Sequence, residues 1–298
     1  MNGNYRPKIL VLGSTGMLGF TCFSAFNSRS EFETLGTARQ VVPGLVQVKS
    51  LGEIEQLIRS RKPDIVLNCI GTIKPYIKDD ISKSIMNAIQ TNSLLPYEIA
   101  DMANKYNFRI IQIATDCVFS GAEGGYKEDS AHDASDVYGK TKSLGEVKDS
   151  RVLNLRCSII GREKFKKVSL MEWLLGQEPN SIIHGFTDHL WNGVSTFHFA
   201  QIAMGIVLKK LDLAGTFHIV PANSVNKSEL LMGLAKAYNR QDLEILEVDS
   251  GLSTNRTLST NFPSANSNFW ACAGYENPPT ISEMINDSIH FYKYWRSK

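Results

Sequence analysis

A turn of three glycines, set between an apolar strand and a helix, constrains this chain more than any other feature. Lys8 to Leu12 is a short, continuous apolar run, and Gly13-Ser14-Thr15-Gly16-Met17-Leu18-Gly19 follows it at once. In that setting Gly13 permits a tight turn, and Gly16 lets backbone N–H groups approach a pyrophosphate. Gly19 lets the helix pack closely on the sheet. The helix N-terminus adds a dipole that favours an anion. The seven residues Gly13, Ser14, Thr15, Gly16, Met17, Leu18 and Gly19 are therefore expected to form a dinucleotide-binding turn.

The chain behind the turn alternates. Strand-like runs at 32–36, 45–48 and 64–70 are interleaved with helical patterns at 17–27 and 53–60. A long helical pattern from Ile81 to Tyr106, interrupted at Pro96, leads into a strand from Phe108 to Ala114. Another, from Ser135 to Lys148, leads into Val152 to Arg156. Continuous apolar strands separated by helices predict a parallel sheet covered on both faces, a doubly wound α/β (Rossmann) fold. The expected division is a dinucleotide-binding domain over 1–160, rejoined by 195–220, and a smaller α+β substrate-binding portion over 161–298. In that second part helices are expected at 168–176, 196–210, 227–238 and 282–292, and a strand at 215–220. All four tryptophans, Trp173, Trp191, Trp270 and Trp295, fall there.

Composition sets limits on partners. Thirty-two Lys+Arg against 30 Asp+Glu give a net charge of +2 over 298 residues, without a run of like charges, so a nucleic-acid partner is not indicated. No apolar stretch approaches the roughly 20 residues needed to cross a bilayer. The apolar run behind Met1 to Lys8 stops at Gly13, too short for a secretory signal, and a cytoplasmic location is expected. The five cysteines, Cys22, Cys69, Cys117, Cys157 and Cys272, are widely spaced with no C-x-x-C pair, and are read as reduced thiols. The histidines have no metal-ligand spacing, and no metal is expected.

Three features point to redox chemistry on a carbonyl. About twenty residues past Gly19, where a carboxylate selects NAD, the sequence reads Gly36-Thr37-Ala38-Arg39. Arg39 can pair with a 2′-phosphate, which favours NADPH, with NADH the other nicotinamide the turn would take. Tyr138 and Lys142 are four apart on one helical face, where an ammonium lowers the pKa of a phenol. Thr115 stands at the carboxyl end of the fifth strand, facing the ligand crevice of a doubly wound sheet, where its hydroxyl can hold a substrate carbonyl. Asp116, the next residue, is expected to turn away and accept backbone hydrogen bonds.

These segments, together with Asn68-Cys69-Ile70-Gly71 and Thr115-Asp116-Cys117-Val118-Phe119, resemble the extended short-chain dehydrogenase/reductases. The branch they are most similar to is the dTDP-4-dehydrorhamnose reductases. The resemblance implies a reductase of a nucleotide-activated 4-keto-6-deoxyhexose with a Thr115, Tyr138 and Lys142 triad. It implies cofactor contacts from Asn68, Cys69, Ile70 and Gly71, with Asn92 supporting the site. Asp116, Cys117, Ser158, Ile159, His189 and Trp191 fall in the substrate region. Arg256 and Lys166 are candidates for a diphosphate, and Trp191 for stacking on a sugar. Cys117 replaces the branch's usual Tyr, and Cys157-Ser158-Ile159 stands where Thr-Ser-Trp is usual, which implies a reshaped sugar pocket. Dehydratases of the superfamily usually follow the Thr with Asp-Glu, and here Asp116-Cys117 follows; an epimerase or dehydratase is the second enzyme reading. The methionine adenosyltransferase β subunits resemble the same branch, so a regulatory subunit is the alternative from a different class. Homodimers through helices beside the sheet are known in such folds, and the resemblance allows one here.

Overall fold

The computed structural model describes residues 5–296, with side chains as far as Tyr292, so the Trp295 side chain lies outside the described residues. Strands and helices alternate as the apolar pattern dictates: β1 (Lys8–Leu12), α1 (Met17–Asn27), β2 (Glu33–Ala38), β3 (Val46–Gln47), α2 (Leu51–Arg61) and β4 (Ile65–Asn68). They continue through α3 (Ser82–Ala88), α4 (Leu95–Tyr106), β5 (Arg109–Ala114), α5 (Val137–Leu144) and β6 (Val152–Arg156). The second half contributes β7 (Ile159–Ile160), α6 (Leu170–Leu175), β8 (Ile182–Phe186), β9 (His189–Trp191), β10 (Val194–Ser195), α7 (Thr196–Leu208) and β11 (Gly215–His218). It ends with β12 (Val225–Asn226), α8 (Lys227–Ala237), β13 (Glu244–Val248), β14 (Thr254–Asn255), α9 (Pro263–Cys272) and α10 (Ile281–Arg296).

The main sheet is parallel and runs β11-β6-β5-β4-β1-β2-β3, the doubly wound α/β arrangement expected from the alternation. Its strands send alternate residues to two cores. Ile9, Val11, Leu67, Ile111 and Leu155 meet α1 and α7 on one face, whereas Leu10, Leu12, Val66 and Ile110 meet α2 and α4 on the other. Each such side chain, fully buried, contributes about 1.5–3 kcal/mol. The strand order reverses between β1 and β4, and there the carboxyl ends of the strands open a crevice.

Two expected elements differ in form. The 81–106 helix does not break at Pro96; it widens into a π-helical turn over Ile89–Leu94 just before it, and the Leu95 N–H donates to the Gln90 carbonyl. Proline in the first turn of α4 lacks an N–H and its ring crowds the preceding turn, and a wider turn relieves both. The helix expected over 135–148 covers only 137–144. It starts where the Asp136 side chain accepts the Gly139 N–H and stops at Gly145.

Candidate active site

At the dinucleotide end, the crevice is lined by backbone. Gly13 takes φ +79°, open to glycine at no steric cost, and a Cβ on Gly19 would run into the Gly13 carbonyl oxygen. α1 begins at Gly16 with no side-chain cap and no acidic residue in its first turn. α2, α5, α6, α7 and α8 are each capped by a Ser, Asp or Asn side chain, whereas α3, α4 and α9 share the missing cap, and what sets α1 apart is the glycine turn that leads into it. A helix end that leaves its donors uncapped, approached by a glycine turn, fits the pyrophosphate of a dinucleotide. Not all seven turn residues face the ligand side. Ser14 is fully buried, its N–H donates to the Thr37 carbonyl, and its hydroxyl donates to the Val11 carbonyl and accepts the Thr37 N–H. The Leu18 side chain belongs to the core. Arg39 directly follows β2, exposed and free of ion pairs among the described residues.

Across the crevice, Asn68 gives its side chain to Gln112 and to the Ile70 N–H. Cys69 lies half-buried, its thiol against that of Cys22 in α1, and Ile70 packs on Gly13. Gly71 neighbours Asn92, whose amide donates to the Thr72 carbonyl and the Thr141 hydroxyl and accepts the Thr72 N–H. Asn68 and Asn92 thus hold the walls of the crevice with their side-chain amides.

α5 is too short to be stable alone and is fixed from three sides. The π-helical turn presents Asn92 to the Thr141 hydroxyl and Ser93 to the Thr141 carbonyl. Gln112 of β5 donates to the Gly145 carbonyl at 2.7 Å. Asp136, at the helix start, pairs with Lys74 at 2.8 Å. Held this way, Tyr138 brings its hydroxyl to Thr115, with Cys117 and Asp116 beside them. Burial, followed by Cys117, Asp116 and Asp136, raises the phenol above its usual pKa. The net shift is thus opposite to the lowering expected from Lys142, with the Thr115 contact opposing it. Lys142 is buried, its ammonium donates to the Ile113 carbonyl at 3.0 Å, and burial lowers its pKa against the opposing pull of Glu146 and Cys69.

On the substrate side, Asp116 departs from expectation. Its buried carboxylate accepts the Thr115 hydroxyl and faces Arg256 and Lys227 instead of backbone amides; burial raises its pKa while those cations pull it back. The reason is local: residues 116–118 form a short 3-10 turn, so the strict alternation of a strand no longer applies. Burial pushes the Cys117 thiol up to about 12. Arg256 donates through Nε to the Phe119 carbonyl, 2.9 Å away. Of the other residues expected on this side, Ser158, His189 and Trp191 have partners of their own. Trp191 is 5% exposed, packed in the core with its indole N–H on the Ser158 hydroxyl, and offers no face for stacking. Ile159 lies in β7, and the His189 ring meets Ser250 and the Leu252 carbonyl. Lys166 stands over the Tyr76 ring at 4.3 Å.

Two features escaped sequence reasoning. Lys227 approaches Asp116 and Cys117, and its only local signal was a lysine at the first position of a helix. Behind the site Arg156 is almost wholly buried. Its guanidinium donates to both Glu146 oxygens and, at 2.7 and 2.8 Å, to Nε2 of His218 and of His132. Each histidine must therefore accept through Nε2 and stay neutral, with Nδ1 on the Ser259 carbonyl or the Ser143 hydroxyl.

Residues 7–251 match the family described as RmlD substrate binding domain. The chain belongs to this family. Among its relatives, methionine adenosyltransferase 2 subunit beta of Danio rerio is 25% identical over 251 residues, 79% of this chain and 76% of that protein. A dTDP-4-dehydrorhamnose reductase from Bacillus anthracis, solved in complex with NADP, superposes with a TM-score of 0.77 at 18% identity. It covers 97% of this chain and 100% of that one. WbmG of Bordetella bronchiseptica, solved with NAD, gives 0.73 at 18% identity, covering 99% of this chain and 96% of the other. The RmlD-family fold is thereby established, and among the described residues no helix is long and apolar enough to cross a membrane.

Proposed function

We propose that this RmlD-family chain is an NADPH-dependent reductase of a nucleotide-activated 4-keto-6-deoxyhexose. The observation that carries the reading is the meeting of the Tyr138 hydroxyl with Thr115 at the carboxyl end of β5, in the same crevice as the uncapped start of α1. The two similar structures named above were solved with NADP and with NAD, which supports a nicotinamide cofactor. The backbone of Gly13 to Gly19 would hold its pyrophosphate, Arg39 the 2′-phosphate, and Lys142 the ribose hydroxyls beside the nicotinamide. A reduced nicotinamide bound there supplies a hydride.

The protein's own part is the proton. A phenol raised above its usual pKa is fully protonated at neutral pH, the state a donor to a developing alkoxide requires. Thr115 positions the carbonyl oxygen, and Tyr138 gives it the proton. The test is NADPH oxidation over a panel of NDP-4-keto-6-deoxyhexoses, with Tyr138→Phe as control. Loss of turnover by about 10²–10⁴-fold with unchanged NADPH affinity is expected. Full activity in the variant overturns the assignment of Tyr138.

The 25% identity to an adenosyltransferase β subunit along 79% of the chain favours a second reading, a regulatory subunit. Stoichiometric co-purification with an adenosyltransferase, with no turnover of any sugar, would select it.

A further inference from the structure

A small sheet brings two cations to one place. Leu190 of β9 pairs with Asn226 of β12 on one side and with Asn255 of β14 on the other. The residue directly after each flanking strand is a cation, Lys227 and Arg256. The segment after β14 is zipped to the loop after β5: the Tyr126 N–H donates to the Thr257 carbonyl and the Ser259 N–H to that of Tyr126. Both cations thereby face Asp116 and Cys117, next to Thr115 and Tyr138. Arg256 donates only through Nε, to Phe119, and its two terminal nitrogens, near Asp116, Asp133 and Asp136, make no hydrogen bond among the described residues.

Lys227 occupies a place that costs stability. It is the first residue of α8, whose amide end repels a cation. It is half-buried, which lowers its pKa against the pull of Asp116 and Cys117, and among the described residues no hydrogen bond or ion pair holds its ammonium. A lysine kept for structure is normally given a partner. The neighbouring Lys74 and Asp136 neutralise each other. Asp116 lies between the two cations, and Arg256 is drawn also toward Asp133 and Asp136, which leaves Lys227 with Asp116 as its one carboxylate neighbour among the described residues.

We propose that Lys227 and Arg256 form an anion-binding subsite of the substrate pocket, with Lys227 setting the preference for a negatively charged substrate. The subsite rests on the nucleotide-sugar reading above and adds to it that anionic oxygens lie against the Cys117 wall. Those oxygens belong either to the diphosphate between sugar and nucleoside or to a carboxylate on the sugar.

Calorimetric titration of the full chain, saturated with NADPH, separates the sources without needing turnover. The ligands are UDP, dTDP, UDP-glucose, UDP-glucuronate and inorganic pyrophosphate, and the variants are Lys227→Met and Lys227→Arg. If the diphosphate is the source, Lys227→Met weakens all the nucleotides by about tenfold, the loss of one charge-assisted contact. If a carboxylate is the source, only UDP-glucuronate weakens. Either result supports the subsite, provided Lys227→Arg keeps most of the affinity and Lys227→Met melts no lower than the wild type. Should the wild type bind no nucleotide, the nucleotide-sugar reading falls, and pyrophosphate decides the subsite by itself. Wild-type affinity of Lys227→Met for every ligand that binds, or equal loss of NADPH affinity and melting temperature, overturns it.

Discussion

The two ends of the crevice are built from different materials. At the dinucleotide end the groups that face a ligand are backbone amides and glycines, and the side chains nearby, Ser14, Asn68 and Asn92, are occupied in holding the walls. At the substrate end side chains line the site: Thr115, Asp116, Cys117, Tyr138, Lys227 and Arg256. An end made of backbone is tied to the fold and cannot be altered without deforming it. One made of side chains can be refitted to a new substrate while the fold stays as it is. On the proposed function, Cys117, where the reductase branch usually has Tyr, is a refitting of that kind.

The sharpest way to break this contrast is at Gly19. Gly19→Val places side-chain atoms against the Gly13 carbonyl, and the expected outcome is a loss of about 3 kcal/mol in urea unfolding together with NADPH binding. A stable variant with normal NADPH affinity would show that the turn tolerates more than its geometry implies.

Acid should affect the substrate end first, because residues 13–19 contain no titratable side chain, whereas His218 behind the site is buried neutral with its pKa lowered to about 4, chiefly by burial; His198, in α7 beside Trp270 and Tyr275, is lowered likewise and adds to the loss of overall stability. Between the free imidazole value of 6.5 and 4, the unfolded chain binds the extra proton. Stability is therefore complete above pH 6.5 and declines through that window by about 1.4 kcal/mol per pH unit for each histidine. Urea midpoints measured from pH 7 to 5 should fall, and less steeply in His218→Asn. An unchanged slope in that variant would remove His218 from the account.

The smallest expected effect concerns the one exposed side chain proposed for the dinucleotide end. Arg39→Ala should weaken NADPH by about tenfold and leave NADH unchanged. Equal loss of both would place Arg39 elsewhere than at a 2′-phosphate.

The same contrast decides what the sequence could disclose. β1, α1 and β6 fall at the residues that periodicity indicates, because each buries a continuous local pattern. Thr115 and Tyr138 were legible for the same reason, one at a strand end and the other on a helix face. The small strands of the second half are another matter. β7, β10, β12 and β14 have two residues each, too few to carry a period, and exist only through partners far along the chain. α9 passed unnoticed because Ser, Asn and Pro dominate its first turns, and its burial of Phe269 and Trp270 is a tertiary effect. Lys227 was hidden for a related reason, since only the pairing of β12 with β9 brings it to Asp116. Trp191 was the opposite case, an aromatic near the pocket in sequence that the core claims in three dimensions.

The zipper between the loop after β5 and the segment after β14 has a consequence for the order of assembly. Gly125 donates to the Thr257 hydroxyl across 132 positions of sequence, whereas β1, α1 and β2 are close neighbours along the chain. The entropy of closing so long a loop is recovered only when nearly the whole polypeptide is in place. A nascent chain can therefore own a dinucleotide turn long before it owns a substrate pocket, and no fragment ending ahead of residue 259 contains the pocket's far wall.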